Sequence, residues 1–321
     1  MLVWLTAGLG LIILLLAGDA LVRGAVNLSL RVGIPALIVS LTIVAFGTSA
    51  PELLIAISAI DDHVPGLALG NVVGSNTANI LLVLGVPAIV SRLHTSTCDT
   101  RKNYIFMLVA TVLFIALAFC GVFNWMSGLI LLAALAFVLG DAFRVARNHR
   151  RENMKKAEAE VDELEDLEGA DPDMPWWRIG LFLVLGLIGL PLGADLLVDS
   201  AVDIARQFHV SETVIGLTLI AVGTSLPELA TTVMAALRRQ ADVALGNVIG
   251  SNMFNLLAII GIATMVGPIP VDPSFLRFDL WVMLGASLLI LPFVCFKKDI
   301  TRRWGVMLTA LYGIYIVSVL V

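Results

Sequence analysis

IPALIVSLTIVAFGTSAPELLIAISAIDDHVPGLALGNVVGSNTANILLVLGVPAIV, residues 34–90, returns 176 positions later as VSETVIGLTLIAVGTSLPELATTVMAALRRQADVALGNVIGSNMFNLLAIIGIATMV, residues 210–266. The blocks align without a gap, and 22 of the 57 positions are identical. The matches include Gly47/Gly223, Thr48/Thr224, Ser49/Ser225, Pro51/Pro227 and Glu52/Glu228, then Gly70/Gly246, Asn71/Asn247, Gly74/Gly250, Ser75/Ser251, Asn76/Asn252 and Asn79/Asn255. Two unrelated apolar helices share Leu, Val and Ala by chance. They do not share Glu, Pro, Asn and Ser in register. The chain is read as a duplication, and the same offset pairs Asp19 with Asp195 upstream.

Around the repeat the composition is that of a bilayer protein. Of 321 residues, 59% are hydrophobic and 14% charged, against about 25% charged in soluble domains. Apolar stretches fall at residues 2–22, 35–60, 66–91, 103–121, 125–146, 176–199, 210–237, 242–267, 276–296 and 303–321. Each is long enough to cross about 30 Å of hydrocarbon as a helix. The expected fold is an all-α integral membrane protein with ten transmembrane helices. Five per half is odd, so the second half begins on the opposite side of the membrane, giving an inverted-topology repeat. The first stretch has no basic residue before Arg23 and no cleavage-site pattern, so it reads as a transmembrane helix and not a signal peptide.

With the N-terminus outside, 18 of the 20 Lys and Arg residues fall on the cytoplasmic side, leaving Arg206 and Arg277 outside. The positive-inside rule then places both termini outside and the central loop in the cytoplasm, most simply across the inner membrane. The halves are residues 1–147 and 176–321, joined by a linker at 148–175. That linker is basic at first and then carries nine carboxylates from Glu158 to Asp173. It reads as a solvated segment with some helix around Val161, Leu164 and Leu167, a regulatory calcium site being the alternative. The net charge of −5 comes largely from this segment. Cys98, Cys120 and Cys295 imply no disulfide framework, and His63, His94, His149 and His209 form no ligand cluster.

Glu52 and Glu228 lie midway along apolar stretches, where an ionised carboxylate needs a partner, a cavity or an ion. Each follows Gly-Thr-Ser-x-Pro. Proline removes the bond to the carbonyl four residues back, Gly47 or Gly223, so each helix should bend and free carbonyls. Thr48 and Ser49, with Thr224 and Ser225, lie three or four residues before the acid and share its side of the helix. The next helices offer Ser75 and Asn79, and Ser251 and Asn255, spaced four apart. All are hard oxygen donors suited to calcium and sodium. Bland rivals exist for each feature. A buried Glu can be structural, a Pro a mere kink, and Gly70-x-x-x-Gly74 and Gly246-x-x-x-Gly250 close-packing motifs; repetition of acid and proline together argues against the first two. Asp195, Asp199 and Asp203 form an acidic stripe, read as a solvated interfacial face with cation guidance as the alternative. Asp61 and Asp62 read as ordinary loop acids.

At these residues the sequence resembles the cation/calcium antiporter superfamily, specifically its prokaryotic sodium/calcium exchanger branch. The doubled GTSxPE and GNVxGSNxxN blocks are similar to that family's alpha repeats, and the resemblance spans the membrane region but not the central loop. It implies that Glu52 and Glu228 are the central calcium and sodium ligands. It also implies that Thr48, Ser49, Thr224 and Ser225 flank them, with the carbonyls of Ala45 and Ala221 as further sodium ligands. Ser75, Ser251 and Asn79 match ligands on the third and eighth helices. Asn255 departs from the pattern, since many relatives carry an acid there, so this site holds two carboxylates and not three. The resemblance further implies that the first and sixth helices slide across a rigid core.

The expectation is therefore a secondary antiporter that admits sodium and extrudes calcium by alternating access. No cofactor or nucleic acid is expected: the ions are the substrates and the bilayer the solvent, and a monomer suffices while the sequence leaves the oligomeric state open. A proton-coupled or manganese-preferring exchanger on the same scaffold is the alternative. A channel is less consistent with broken helices, and no Ser–His pair, Asp–Asp pair or HExxH motif points to an enzyme.

Overall fold

The computed structural model describes residues 2–156, 171, 173–208 and 221–320. The expectations for the acidic part of the linker, including helix at Val161, Leu164 and Leu167, lie outside the described residues, as do His209 and most of the first turns of the seventh stretch. Of the nine carboxylates from Glu158 to Asp173, only Asp171 and Asp173 are described.

The protein is an all-α integral membrane protein. We label its helices α1 (Leu2–Val32), α2 (Ala36–Thr48), α3 (Ala50–Asp61), α4 (Pro65–Val90), α5 (Arg101–Ala118) and α6 (Trp125–Lys156). The rest are α7 (Trp176–Gln207), α8 (Leu226–Leu237, preceded by the short turn Ala221–Gly223), α9 (Ala241–Val266), α10 (Phe275–Cys295) and α11 (Arg302–Leu320). Seven of them are long and apolar enough to cross a membrane, and α2 with α3 make an eighth if that bent pair is one span. Helices α8 and α11 occupy the two remaining expected stretches.

The distribution of polarity is inverted relative to a soluble protein. Leu16, Phe137 and Phe143 are 64–69% exposed, whereas Thr48, Ser49, Glu52, Glu228 and Asn255 are at most 3% exposed. Apolar side chains outside and carboxylates inside suit a chain whose solvent is lipid.

Helix α1 runs past its expected end at residue 22, to Val32. The polar residues that made the stretch look finished find protein partners. Asp19 pairs with Arg23 at 2.9 Å and with Arg238, and Asn27 Oδ1 accepts the Asp171 N–H at 2.8 Å.

Packing is driven by close backbone approach, as expected where lipid removes the usual hydrophobic force between helices. Helices α1 and α7 lie along each other. A methyl at Gly10 would sit 2.7 Å from the Leu197 nitrogen, and one at Gly186 would sit 2.9 Å from the Leu21 nitrogen. Gly10 and Gly186 differ by 176, and so do Leu21 and Leu197. The contact is reciprocal. Helix α9 occupies the centre, against α2, α4, α5, α6 and α8. Its glycines carry the close-packing motif expected of them: a methyl at Gly246 would lie 2.9 Å from the Leu37 carbonyl, and one at Gly250 2.5 Å from that of Leu41. The corresponding partners of Gly70 and Gly74 would fall mostly outside the described residues.

Short strand pairings tie the helix ends. Val122–Phe123 pairs antiparallel with Ile269–Pro270, and Leu93 bridges Ile300. Leu93 and Ile269 are again 176 apart.

Candidate cation site

Each half breaks a helix at the same place. Pro51 sits in the first turn of α3, cannot donate to the Gly47 carbonyl, and turns the chain by 41° between α2 and α3. Before the break, Ser40–Val44 is wound as π-helix, which loosens the backbone further. Ser49, at the junction, has φ −88° and ψ 4°; Ser225, its counterpart before α8, has φ −91° and ψ 3°. Pro227 occupies the same position in α8 as Pro51 in α3.

The break places both acids in the first turn of a new half-helix. There the unpaired N–H groups and the positive end of the dipole favour a negative charge. Glu52 is 1% exposed and Glu228 is fully buried, and the carboxylates lie close enough to repel each other.

Across the junction the halves exchange donors. Ser49 Oγ, from the first half, donates to Glu228 Oε1 at 3.3 Å. The hydroxyls of Thr48 and Ser251 also face the Glu228 carboxylate. Thr48 Oγ1 lies 3.5 Å from Ser251 Oγ, and donates to the Ala45 carbonyl at 3.3 Å and to Asn247 Oδ1 at 3.4 Å. Thr48, Ser49, Glu228 and Ser251 thus come together, with Glu52 within range of the Glu228 charge.

The remaining expected residues divide. Glu52 Oε2, Glu228 Oε2, Ser75 Oγ, Asn79 Oδ1, Ser225 Oγ and both amide atoms of Asn255 are buried with no hydrogen-bond partner. A buried oxygen left in this state costs on the order of 1–3 kcal/mol, more for a carboxylate. Here six residues of one expected set carry such oxygens, so the arrangement calls for positive charge. The Ala45 carbonyl, by contrast, already accepts from the Ser49 N–H at 3.0 Å as well as from Thr48. Ala221 opens the short turn before α8. Among the described residues no group of three His, Cys, Asp or Glu side chains is placed to hold a metal.

A cavity of about 180 Å³ adjoins both breaks, lined by Pro51, Thr224 and Pro227 together with Asp195 and Asp199 of α7. Two acids of the stripe therefore point at the hinge region, while Asp203 pairs with Arg206 at 3.9 Å at the exposed end. On α1 the residue matching Asp195, Asp19, is bound instead by Arg23 and Arg238.

The sequence reading assigned no role to Asn247, Asn76 or Asn252 beyond membership of the repeat. Asn247 lies between Thr48 and Thr232, accepting from the first and donating to the second at 3.3 Å. Asn76 and Asn252 bond across the halves. Their identity at matching positions was the available signal.

Comparison with known proteins bears on this geometry. A family model described as sodium/calcium exchanger protein matches residues 2–141 and 179–321. The chain is 33% identical to the sodium/calcium exchanger MaX1 of Methanosarcina acetivorans over 96% of each sequence. It is 34% identical to the inner membrane protein YrbG of Escherichia coli over 94% of this chain and 91% of that one. Its fold is similar to that of the sodium-calcium exchanger NCX_Mj soaked with zero Na+ and Ca2+, with a TM-score of 0.81 and 31% identity, covering 98% of both chains.

Proposed function

The chain belongs to the sodium/calcium exchanger protein family, and from that premise we propose that it exchanges sodium for calcium across a membrane by alternating access. One calcium ion, or two sodium ions, would neutralise Glu52 and Glu228. The two loads exclude each other because the buried charge is the same for both. The ligands are Glu52, Glu228, Thr48, Ser49, Thr224, Ser225, Ser75, Asn79, Ser251 and Asn255, with the carbonyls of Ala45 and Ala221 contributing when hydroxyl donors turn away. Oxygen donors of this hardness fit calcium and sodium. The observation that carries the reading is the pair of unpartnered carboxylate oxygens, Glu52 Oε2 and Glu228 Oε2, buried within range of each other's charge.

In this proposal residues 1–147 and 176–321 are two inverted five-helix halves joined by a cytoplasmic linker at 148–175, with both termini outside. The reciprocal contacts at the 176-residue offset support two-fold equivalence of the halves. Helices α1 and α7 pack mainly on each other, which suits a pair that slides over the rest. Sodium enters and calcium leaves; if one net charge moves per cycle, each 100 mV contributes about 2.3 kcal/mol. Ions are cargo, so no cofactor and no chemical step is required, and one chain contains the whole site.

Sodium-dependent calcium uptake into inverted vesicles tests this. Flux should vanish in Glu52→Gln and in Glu228→Gln. Undiminished flux in both would remove the site assignment, and uptake driven by a pH gradient without sodium would replace sodium by protons as the coupled ion.

A further inference from the structure

Asn76 and Asn252, 176 positions apart, are both 1% exposed. They join the halves back to back. Asn76 Nδ2 donates to the Asn252 carbonyl at 3.3 Å, and Asn252 Nδ2 donates to the Asn76 carbonyl at 3.5 Å. In these bonds the two are equivalent. They part at the side-chain oxygens. Asn252 Oδ1 accepts from Asn79 Nδ2 at 3.1 Å. The matching bond would run from Asn255 Nδ2 to Asn76 Oδ1, and both of those atoms are buried with no partner.

A primary amide has a donating end and an accepting end. With Asn79 Nδ2 held by Asn252, Asn79 Oδ1 must point the other way. That oxygen is buried and unpartnered, like Ser75 Oγ one turn earlier on the same helix and Glu52 Oε2. We propose that Asn252 is a positioning residue, which holds the Asn79 amide with its oxygen toward the transported cation. Asn255 has no such clamp and turns either end inward. This rests on the cation-site reading above. The site then has one neutral amide fixed as an oxygen ligand and one that adapts. An adaptable ligand suits a cage whose occupants differ in charge and number.

The matched pair supplies its own control. Asn76→Ala removes one cross-half bond, whereas Asn252→Ala removes two and a contact from Asn252 Nδ2 to Met107 Sδ at 3.7 Å, so both should lower the melting temperature of the calcium-free protein, Asn252→Ala by more. Only Asn252→Ala also frees Asn79, and it should weaken calcium binding to the purified protein about fivefold, while Asn76→Ala stays within about twofold of wild type. In an Asn79→Asp background both ends of the side chain are oxygens, so Asn252→Ala should there cost no further affinity. Equal affinity losses in Asn76→Ala and Asn252→Ala would overturn the proposal, as would an undiminished Asn252→Ala effect beside Asp at 79. If the Asn79→Asp protein cannot be purified, the matched pair decides alone. Glu52→Gln, measured in parallel, separates the two readings. If it binds calcium like wild type, the site itself is wrong; if it does not bind while Asn252→Ala binds normally, only the clamp is wrong.

Discussion

Ser49 and Glu228 come from different halves, and their 3.3 Å bond links the two broken helices directly at the site. A hydroxyl that donates to a carboxylate can instead turn a lone pair toward a cation, so in the proposed site Ser49 would serve the acid in one state and the ion in another. Ser49→Ala should weaken calcium binding by about tenfold, in keeping with loss of one charge-assisted contact. Ser49→Thr keeps the hydroxyl and should lose less. Isotope binding to purified protein distinguishes the two, and equal losses would show that the hydroxyl is not the relevant group. This residue was legible in the sequence because Gly-Thr-Ser-x-Pro-Glu occurs twice in register. The role of Asn252 was not. Helical spacing shows which residues share a face, but the bond from Asn79 crosses between helices of different halves, and no spacing along one chain encodes it.

Elements hold the site by contact too close for side chains. At Gly250 a methyl would meet the Leu41 carbonyl at 2.5 Å and the Ala45 side chain at 2.6 Å, both on α2 just before the break. Gly250→Ala must therefore push α9 off α2, at a cost of about 1–3 kcal/mol, and should lower both thermal stability and calcium affinity. Gly140→Ala, on the outward side of α6 with open space around it, should lower neither. Melting curves with and without calcium read both effects. A second tie lies outside the spans. Asp299 accepts from the Ser96 backbone N–H at 3.1 Å and pairs with Arg92 at 2.9 Å and His94 at 3.3 Å. Burial pulls its carboxyl up, but the Ser96 hydrogen bonds and the Arg92 and His94 charges outweigh burial and hold it below the usual carboxylate range. A depressed folded-state value means that its stabilisation is full above the unfolded value of about 3.9 and fades as pH falls through the folded one. Asp299→Asn should therefore melt earlier than wild type at neutral pH, the gap closing only at strongly acid pH. A constant gap would assign the effect to packing. That the chain is built of long apolar helices was readable from apolar length alone, but ends such as Val32 were not, because the polar residues near them are satisfied by distant helices.

At the scale of the whole molecule the halves are alike but not equal, and the inequality falls on charge. Asp19 of α1 is bound by Arg238 at the end of α8, with Arg23 alongside. The positions 176 away from that pair are Asp195 and Asp62, two acids, which cannot form the same tie. Asp195 instead lines the cavity that reaches Pro51 and Pro227. One end of the α1–α7 pair is thus tied to α8 by an ion pair, and the other lies beside the acids of the cavity. The duplication was plain in the sequence, and so were these four residues. Their pairing was not, because it joins the first helix to the eighth. If α1 and α7 move together against the core, the Asp19–Arg238 pair favours the state in which the end marked by basic residues is closed. A half-buried pair worth about 1 kcal/mol biases that equilibrium about fivefold. A cysteine placed at Val198, which lines the open cavity, reports it, in a background with Cys98, Cys120 and Cys295 replaced by serine. Arg238→Ala should slow its labelling by an impermeant maleimide several-fold, and the exchanged pair Asp19→Arg with Arg238→Asp should restore the rate. Labelling that ignores Arg238→Ala would mean that the pair merely staples α1 in place, and the preference for one face would then have to come from the packing of the glycine-lined helices themselves.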